Sequence, residues 1–380
     1  MTYLDHNATT PVRPEVVDAM LPYLREHYGN PSSVYALGQR ARKAVEQARA
    51  QVASLLGAAS EQEIVFTSCG SESDVLAIEG ACEAPGQKRK KIVSSPIEHD
   101  AVRLCLDKLK RRGFSPALCK VDRYGEVDLP SLQALIDDQT AVVSVMHANN
   151  EVGTIQPIAA VTAAARARGA LAHCDAVQSA DKIPVDVEEL GVDLLSISGH
   201  KINAPKGIGA LYVRKGTRLG QLITGHQEKN RRGGTENVAS IVGLGVACEL
   251  AKQDLAKAAQ YLEMRRALEA GVLAIPGSRL NGHPERRLPN AAHFSFEGVD
   301  GHQLVVALDL EGLCASAVPA CSSGASMASH VLTAMGCPES LATGSLRVSM
   351  GWGTRRSDIE RLLAVLPATV EKLRRVHAAL

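Results

Sequence analysis

Two residues of opposite charge stand at the ends of apolar runs in this chain. Lys201 closes Ser198-Gly199-His200-Lys201, just past Val192-Asp193-Leu194-Leu195-Ser196-Ile197, and Asp175 ends a second apolar segment 26 residues upstream. That interval suits one βαβ step of a parallel sheet, whose neighbouring strands both finish at the carboxyl edge where ligands of α/β proteins collect. A carboxylate and an amine facing one pocket match the needs of pyridoxal phosphate: an amine to form a Schiff base and a carboxylate to keep the pyridine nitrogen protonated as an electron sink. Taken alone, an Asp and a Lys at this spacing read equally as solvated strand ends, so further residues must converge on the same edge.

Several do. The strand-like run Glu63-Ile64-Val65-Phe66-Thr67 leads into Ser68-Cys69-Gly70-Ser71-Glu72-Ser73-Asp74 and then Val75-Leu76-Ala77-Ile78, a small-residue turn and a helix start. Such a terminus offers free N–H groups and a positive dipole end to a phosphate, with Gly70 allowing close approach and Ser71 adding a hydroxyl. The same residues also read as a capping box, with Ser71 or Ser73 satisfying the helix start, and the two readings are compatible. His99 follows the run that begins at Lys91, and Asn149-Asn150-Glu151 follows the run that ends near Met146. A histidine at a strand exit can stack on a ring and carry protons near neutral pH, or serve as a surface or capping residue. Gly70, Ser71, His99, Asn150, Asp175, Gln178, Ser198, His200 and Lys201 all fall at one sheet edge if the strands are read this way.

Two candidates lie further along. Cys321 sits in Pro319-Ala320-Cys321-Ser322-Ser323-Gly324-Ala325-Ser326, a composition that predicts a mobile exposed loop. A thiol there can act as a nucleophile if its thiolate is stabilised. Most of the other eight cysteines fall inside apolar periods as core fillers. Arg347, in Ser345-Leu346-Arg347-Val348-Ser349, is mid-strand, so it must either reach solvent or bind a carboxylate.

The elements that position these residues follow from periodicity. Between about residues 14 and 245, helical periods alternate with short β-branched runs, the pattern of an α/β domain with a mainly parallel, doubly wound sheet. Helices are expected over 14–28 and over 38–56, the latter with Gly57 as its stop. Six strands are expected, over 63–67, 91–94, 141–146, 170–174, 194–197 and 209–213. From about Ala239 a long helical tract runs on to Ala274. Segments 289–296, 304–308 and a closing helix near 358–379 then suggest a smaller α+β domain. The division expected is 14–245 for the large domain, with 1–13 and 246–380 forming the small one that carries Cys321.

Composition narrows the function classes. Of 380 residues, 45% are hydrophobic and 22% charged, with a formal net charge of +1, an ordinary globular balance. Aromatic content of 3% and the absence of any basic stripe beyond Lys88-Arg89-Lys90-Lys91 argue against nucleic-acid binding. Nine scattered cysteines lack C-x-x-C pairs or zinc spacing, so neither a disulfide framework nor a bound metal is expected. No signal-like start and no long uncharged apolar run occurs, which predicts a cytoplasmic protein with no membrane partner.

The chain closely resembles the pyridoxal-phosphate-dependent cysteine desulfurases of the class V aminotransferase group, nitrogen-fixation type. The resemblance is carried by Tyr3-Leu4-Asp5-His6-Asn7-Ala8-Thr9-Thr10-Pro11, Gly29-Asn30-Pro31-Ser32-Ser33, Thr67 to Asp74, Ala148-Asn149-Asn150-Glu151, Asp175-Ala176-Val177-Gln178, Ser198 to Lys201, Pro205-Lys206-Gly207, Arg232-Gly233-Gly234-Thr235-Glu236-Asn237 and Ser345-Leu346-Arg347. It implies a fold type I enzyme in which Lys201 attaches the cofactor, Asp175 binds the pyridine nitrogen, Gln178 the ring oxygen, and His99 stacks on the ring. Gly70, Ser71, Ser198 and His200 would hold the phosphate, with Thr235 reaching across from the second subunit of a homodimer. Asn150 and Arg347 would orient the carboxylate of substrate L-cysteine. Cys321 would accept its sulfur as a persulfide, release alanine, and pass the sulfur to an acceptor such as an iron-sulfur assembly scaffold.

The chain departs from this pattern at Ser316-Ala317-Val318-Pro319, where relatives usually have Ser-Ser-Gly-Ser, and at Ser326-Met327-Ala328-Ser329, where many have Leu-Glu-Pro-Ser. Proline restricts a backbone that glycine and serine leave free. Two competing readings stand beside the leading one. In the first, a lyase or transaminase of the same fold acts on selenocysteine or cysteine sulfinate, and Cys321 is dispensable. In the second, the protein is a non-catalytic assembly platform.

Overall fold

The computed structural model describes residues 1–317 and 328–378. Seven strands build the main sheet: β1 Ile64–Thr67, β2 Lys91–Ser94, β3 Ser115–Leu118, β4 Thr140–Ser144, β5 Leu171–Asp175, β6 Leu194–Ser198 and β7 Gly209–Val213. Their spatial order is β1-β7-β6-β5-β4-β2-β3, and β7 alone runs antiparallel to its neighbours.

Alternate residues of the same strands feed two different apolar clusters. Ile64, Phe66, Val143, Leu195 and Tyr212 point to one face, while Val65, Val142, Leu194, Leu211 and Val213 point to the other. Period-two alternation with apolar residues on both sides is what a sheet covered on both faces requires. The first face is covered by helices α1 Pro14–Arg25, α2 Ala36–Leu56 and, later in the chain, Val238–Asp254. The second is covered by α3 Gly70–Cys82 and α4 Asp100–Arg111. Helix α2 stops where the sequence says it should, because Gly57 takes the left-handed conformation at φ 66° that closes a helix cheaply.

Three features differ from the sequence expectation. Strand β3, Ser-Pro-Ala-Leu, was not among the six expected strands. It pairs with β2 alone at the sheet edge, where a proline and half-exposed side chains are tolerated and leave little apolar signal. The cap of α3 is Cys69 rather than Ser71 or Ser73, its sulfur accepting from the Glu72 N–H at 3.4 Å. The long helical tract is two helices, Val238–Asp254 and Ala258–Leu273, separated by a tight turn over Leu255–Lys257.

A separate apolar cluster gathers Leu268, Phe294, Phe296, Leu304, Leu346 and Leu362 around a three-stranded antiparallel sheet, with Ala291–Phe296 between Ser278–Asn281 and Ser345–Ser349. Leu4 joins this cluster from the other end of the sequence, and Thr2–Tyr3 pairs with Leu313–Cys314. Among the described residues no helix is long and apolar enough to cross a membrane, and no group of acidic, His or Cys side chains is arranged to hold a metal ion.

Candidate active site

Strands β5 and β6 lie side by side and parallel, so that Asp175 is the register partner of Ser196. Strand β6 ends at Ser198 and turns tightly through Gly199–Lys201. The Lys201 Nζ donates to the backbone oxygens of Asn7 at 2.5 Å and Ala8 at 2.8 Å. Burial, helped by the nearby charges of Arg347 and Lys182, draws its pKa down to about 8. Asp175 is 6% exposed and accepts from the Val177 N–H at 2.9 Å. Burial raises its pKa, while His99 and Lys201 act in the opposite direction and favour its charged form.

Two buried polar atoms here have no hydrogen-bond partner, the Ser198 hydroxyl and the Gln178 Oε1. The other end of the Gln178 amide donates to the Asn7 carbonyl at 3.0 Å, which fixes its orientation. Gly70, the first residue of α3, faces Ser198 so closely that a Cβ there would come within 2.9 Å of Val177 Cγ2 and 3.0 Å of Ser198 Cβ. A helix start with a bare glycine beside an orphaned hydroxyl is a cradle for a phosphate. Together with a buried carboxylate and a depressed amine, these residues fit pyridoxal phosphate. Ser71 lies exposed on the first turn of α3. Next to it, Glu72 accepts from the Ser68 N–H at 2.7 Å and pairs with Arg232 at 2.7 Å.

His99 caps α4, its Nδ1 accepting from the Ala101 N–H at 3.1 Å, and the residue is exposed. The capping role and proximity to Asp175 coexist. His200 binds the Thr9 hydroxyl through Nδ1 at 3.1 Å, and burial pulls its pKa to about 4, so the ring is neutral. Arg347 takes the carboxylate alternative: its Nη2 meets Asp5 at 2.7 Å and its Nη1 donates to the Asn150 carbonyl at 2.9 Å, while Nε has no hydrogen-bond partner. Thr235 is exposed, three residues beyond the Arg232 that pairs with Glu72. Cys321 lies outside the described residues.

The segment from Asp5 to Thr10, whose residue pattern points to no chemistry of its own, is the hub. Asn7 accepts from Lys201 and Gln178, donates its side chain to the Asn150 carbonyl at 3.3 Å, and takes the Ser349 hydroxyl on its N–H at 2.9 Å. The only signal was a run of small polar residues with no apolar period, Asp5-His6-Asn7-Ala8-Thr9-Thr10.

Residues 2–362 match the family described as aminotransferase class-V. The chain is 45% identical over 376 residues to "Cysteine desulfurase 2" of Trichormus variabilis, covering 98% of this chain and 94% of that one. It is 46% identical over 374 residues to "Cysteine desulfurase IscS" of Methanosarcina thermophila, covering 98% and 92%. Among solved structures, a "NifS-like protein" superposes over the whole of both chains with a TM-score of 0.89 at 36% identity.

Proposed function

Because this chain belongs to the class-V aminotransferase family and is a cysteine desulfurase of the nitrogen-fixation type, we propose that Lys201, Asp175, Arg347 and Cys321 divide its chemistry among them. The observation that carries the assignment is that Asp175 ends β5 while Lys201 lies in the tight turn that follows the adjacent β6, with Ser198 and Gln178 each leaving a buried polar atom without a partner among the described residues.

Pyridoxal phosphate, when bound, supplies an electron sink for negative charge at the substrate α-carbon. Lys201 would attach it, and Asp175 would keep its ring nitrogen protonated. Gly70, Ser71, Ser198 and His200 would hold the phosphate, Gln178 the ring oxygen, and His99 would cover the ring. With its pKa near 8, Lys201 has a substantial neutral fraction close to neutral pH, as a group that must take the α-proton requires. Arg347, held by Asp5 and the Asn150 carbonyl, would receive the carboxylate of L-cysteine together with Asn150. The thiolate of Cys321 would attack the substrate sulfur. An S–S bond forms as the C–S bond breaks, the electron pair passes to substrate carbon, and protonation there, with His99 as proton carrier, releases alanine.

The same reading makes the protein a cytoplasmic homodimer in which Thr235 completes the partner's phosphate site, and one that supplies sulfur for iron-sulfur cluster assembly. It also divides the chain into residues 14–245 and the smaller unit of 1–13 with 246–380, a division supported by the separate apolar clusters. Mass spectrometry after brief exposure to cysteine is the test. One added sulfur mapped to Cys321, absent in Cys321→Ser, is the expected result. Undiminished alanine production by Cys321→Ser would overturn the assignment of the acceptor.

A further inference from the structure

A second buried carboxyl group, one that the reaction does not use, meets β5 at His173, two residues before Asp175. Asp74, on the first turns of α3, has a side chain only 2% exposed, and its Oδ1 has no hydrogen-bond partner. Its closest ionisable neighbour is His173 Nε2 at 3.6 Å. Both nitrogens of that ring are occupied, Nδ1 by the Ser144 hydroxyl at 2.8 Å and Nε2 by the Ser196 hydroxyl at 3.0 Å. Complete burial pulls the His173 pKa to about 3, so the ring is neutral and offers Asp74 no counter-charge. The other titratable groups facing Asp74 are Asp175 and Cys174 of β5, Glu98 ahead of α4, Cys105 of α4, and Cys69 at its own helix start. None of these is a cation.

Asp175 is placed differently. It accepts a backbone N–H, and the charges of His99 and Lys201 act on it from the pocket side. Two like charges this close and this dry cannot both persist, so one proton has to settle on one of the pair. The Ser196 hydroxyl donates to the Asp74 carboxyl and favours its charged form, but with Oδ1 orphaned and Asp175 repelling it an ionised Asp74 remains the costlier choice.

We propose that Asp74 is a positioning residue that keeps its proton, leaving Asp175 as the single anion that meets the cofactor's ring nitrogen, with His173 and Ser196 holding the neutral acid in place. This rests on the assignment of Asp175 made above. Above about pH 4 the unfolded chain releases the Asp74 proton while the folded chain, in which burial raises the pKa of this carboxyl, holds it to higher pH, so this residue costs stability as pH rises.

The test is thermal unfolding of the cofactor-free chain as a function of pH. Asp74→Asn is expected to match the parent near pH 4 and to melt several degrees higher near pH 8. In an Asp175→Asn background the gap is expected to shrink, because the like-charged neighbour is gone. Burial also raises the pKa of Glu98 to about 8 and of Glu151 to about 7, so the infrared absorption of protonated carboxyls at pH 7 should lose one component in Asp74→Asn, and Asp74→Ser serves if that variant fails to fold. A pH-independent difference, a gap of the opposite sign, or no loss of an infrared component would overturn the proposal. Since these measurements need no cofactor, failure of the loaded enzyme to release alanine would strike the assignment of function and leave this one intact.

Discussion

Two of the buried arginine–carboxylate pairs among the described residues are built to opposite ends. Arg49 grips Glu228 through two bonds, Nη1 to Oε2 at 2.7 Å and Nη2 to Oε1 at 2.9 Å, while Nη1 also holds the Ile64 carbonyl and the guanidinium lies 4.7 Å from the Phe66 ring centre. Glu228 in turn accepts from the Phe66 N–H at 2.9 Å. The pair fastens a turn in which Glu228, Lys229 and Asn230 are all left-handed, at φ 47°, 58° and 60°. Left-handed backbone costs roughly 1–2 kcal/mol per non-glycine residue, so a strong local contact must offset it. Arg347 has one bond to Asp5 and one to a backbone carbonyl, and Asp5 is partly exposed at 16%. The first pair is a closed fastening. The second leaves a cation able to accept another carboxylate.

The contrast is open to measurement. Breaking the closed pair should have the largest effect: Glu228→Gln is expected to cost about 3–5 kcal/mol of unfolding free energy, the range for removing one member of a buried pair, read by denaturant titration. Arg347→Met should instead act on substrate, raising the KM for cysteine about 30- to 160-fold, as expected for losing roughly 2–3 kcal/mol of charge-assisted hydrogen bonding. Arg347 also helps depress Lys201. Removing that positive charge favours the protonated amine, so the pH profile for covalent capture of the coenzyme should move to the alkaline side of about 8 in Arg347→Met and stay in place in Glu228→Gln. At the small end, Arg356 is 69% exposed and paired with Glu263 at 3.2 Å. Arg356→Ala is expected to change stability by less than about 1 kcal/mol, and a larger loss would show that exposure is not what separates the pairs.

How much of this the sequence disclosed depends on how local the signal was. Asp175 and Lys201 were readable because each ends an apolar run of strand length, and the sheet then places them side by side. Gly70 was readable as the glycine of a strand-to-helix turn, although the capping atom was misassigned to serine, since a cysteine sulfur is a weak acceptor seldom expected there. The link from Arg347 to Asp5 spans 342 residues, and no periodicity records a contact of that kind. Asp74 and His173 were invisible for another reason. His173 sits among apolar neighbours and Asp74 closes a run of small polar residues, and only the packing of α3 against the sheet shows that they meet.

The carbonyls that receive Lys201 belong to Asn7 and Ala8, and the Asn7 N–H is in turn tied to the hydroxyl of Ser349. The seat of the amine therefore depends on a contact that spans 342 residues, so loosening Ser349 would loosen Asn7 and with it the hold on Lys201.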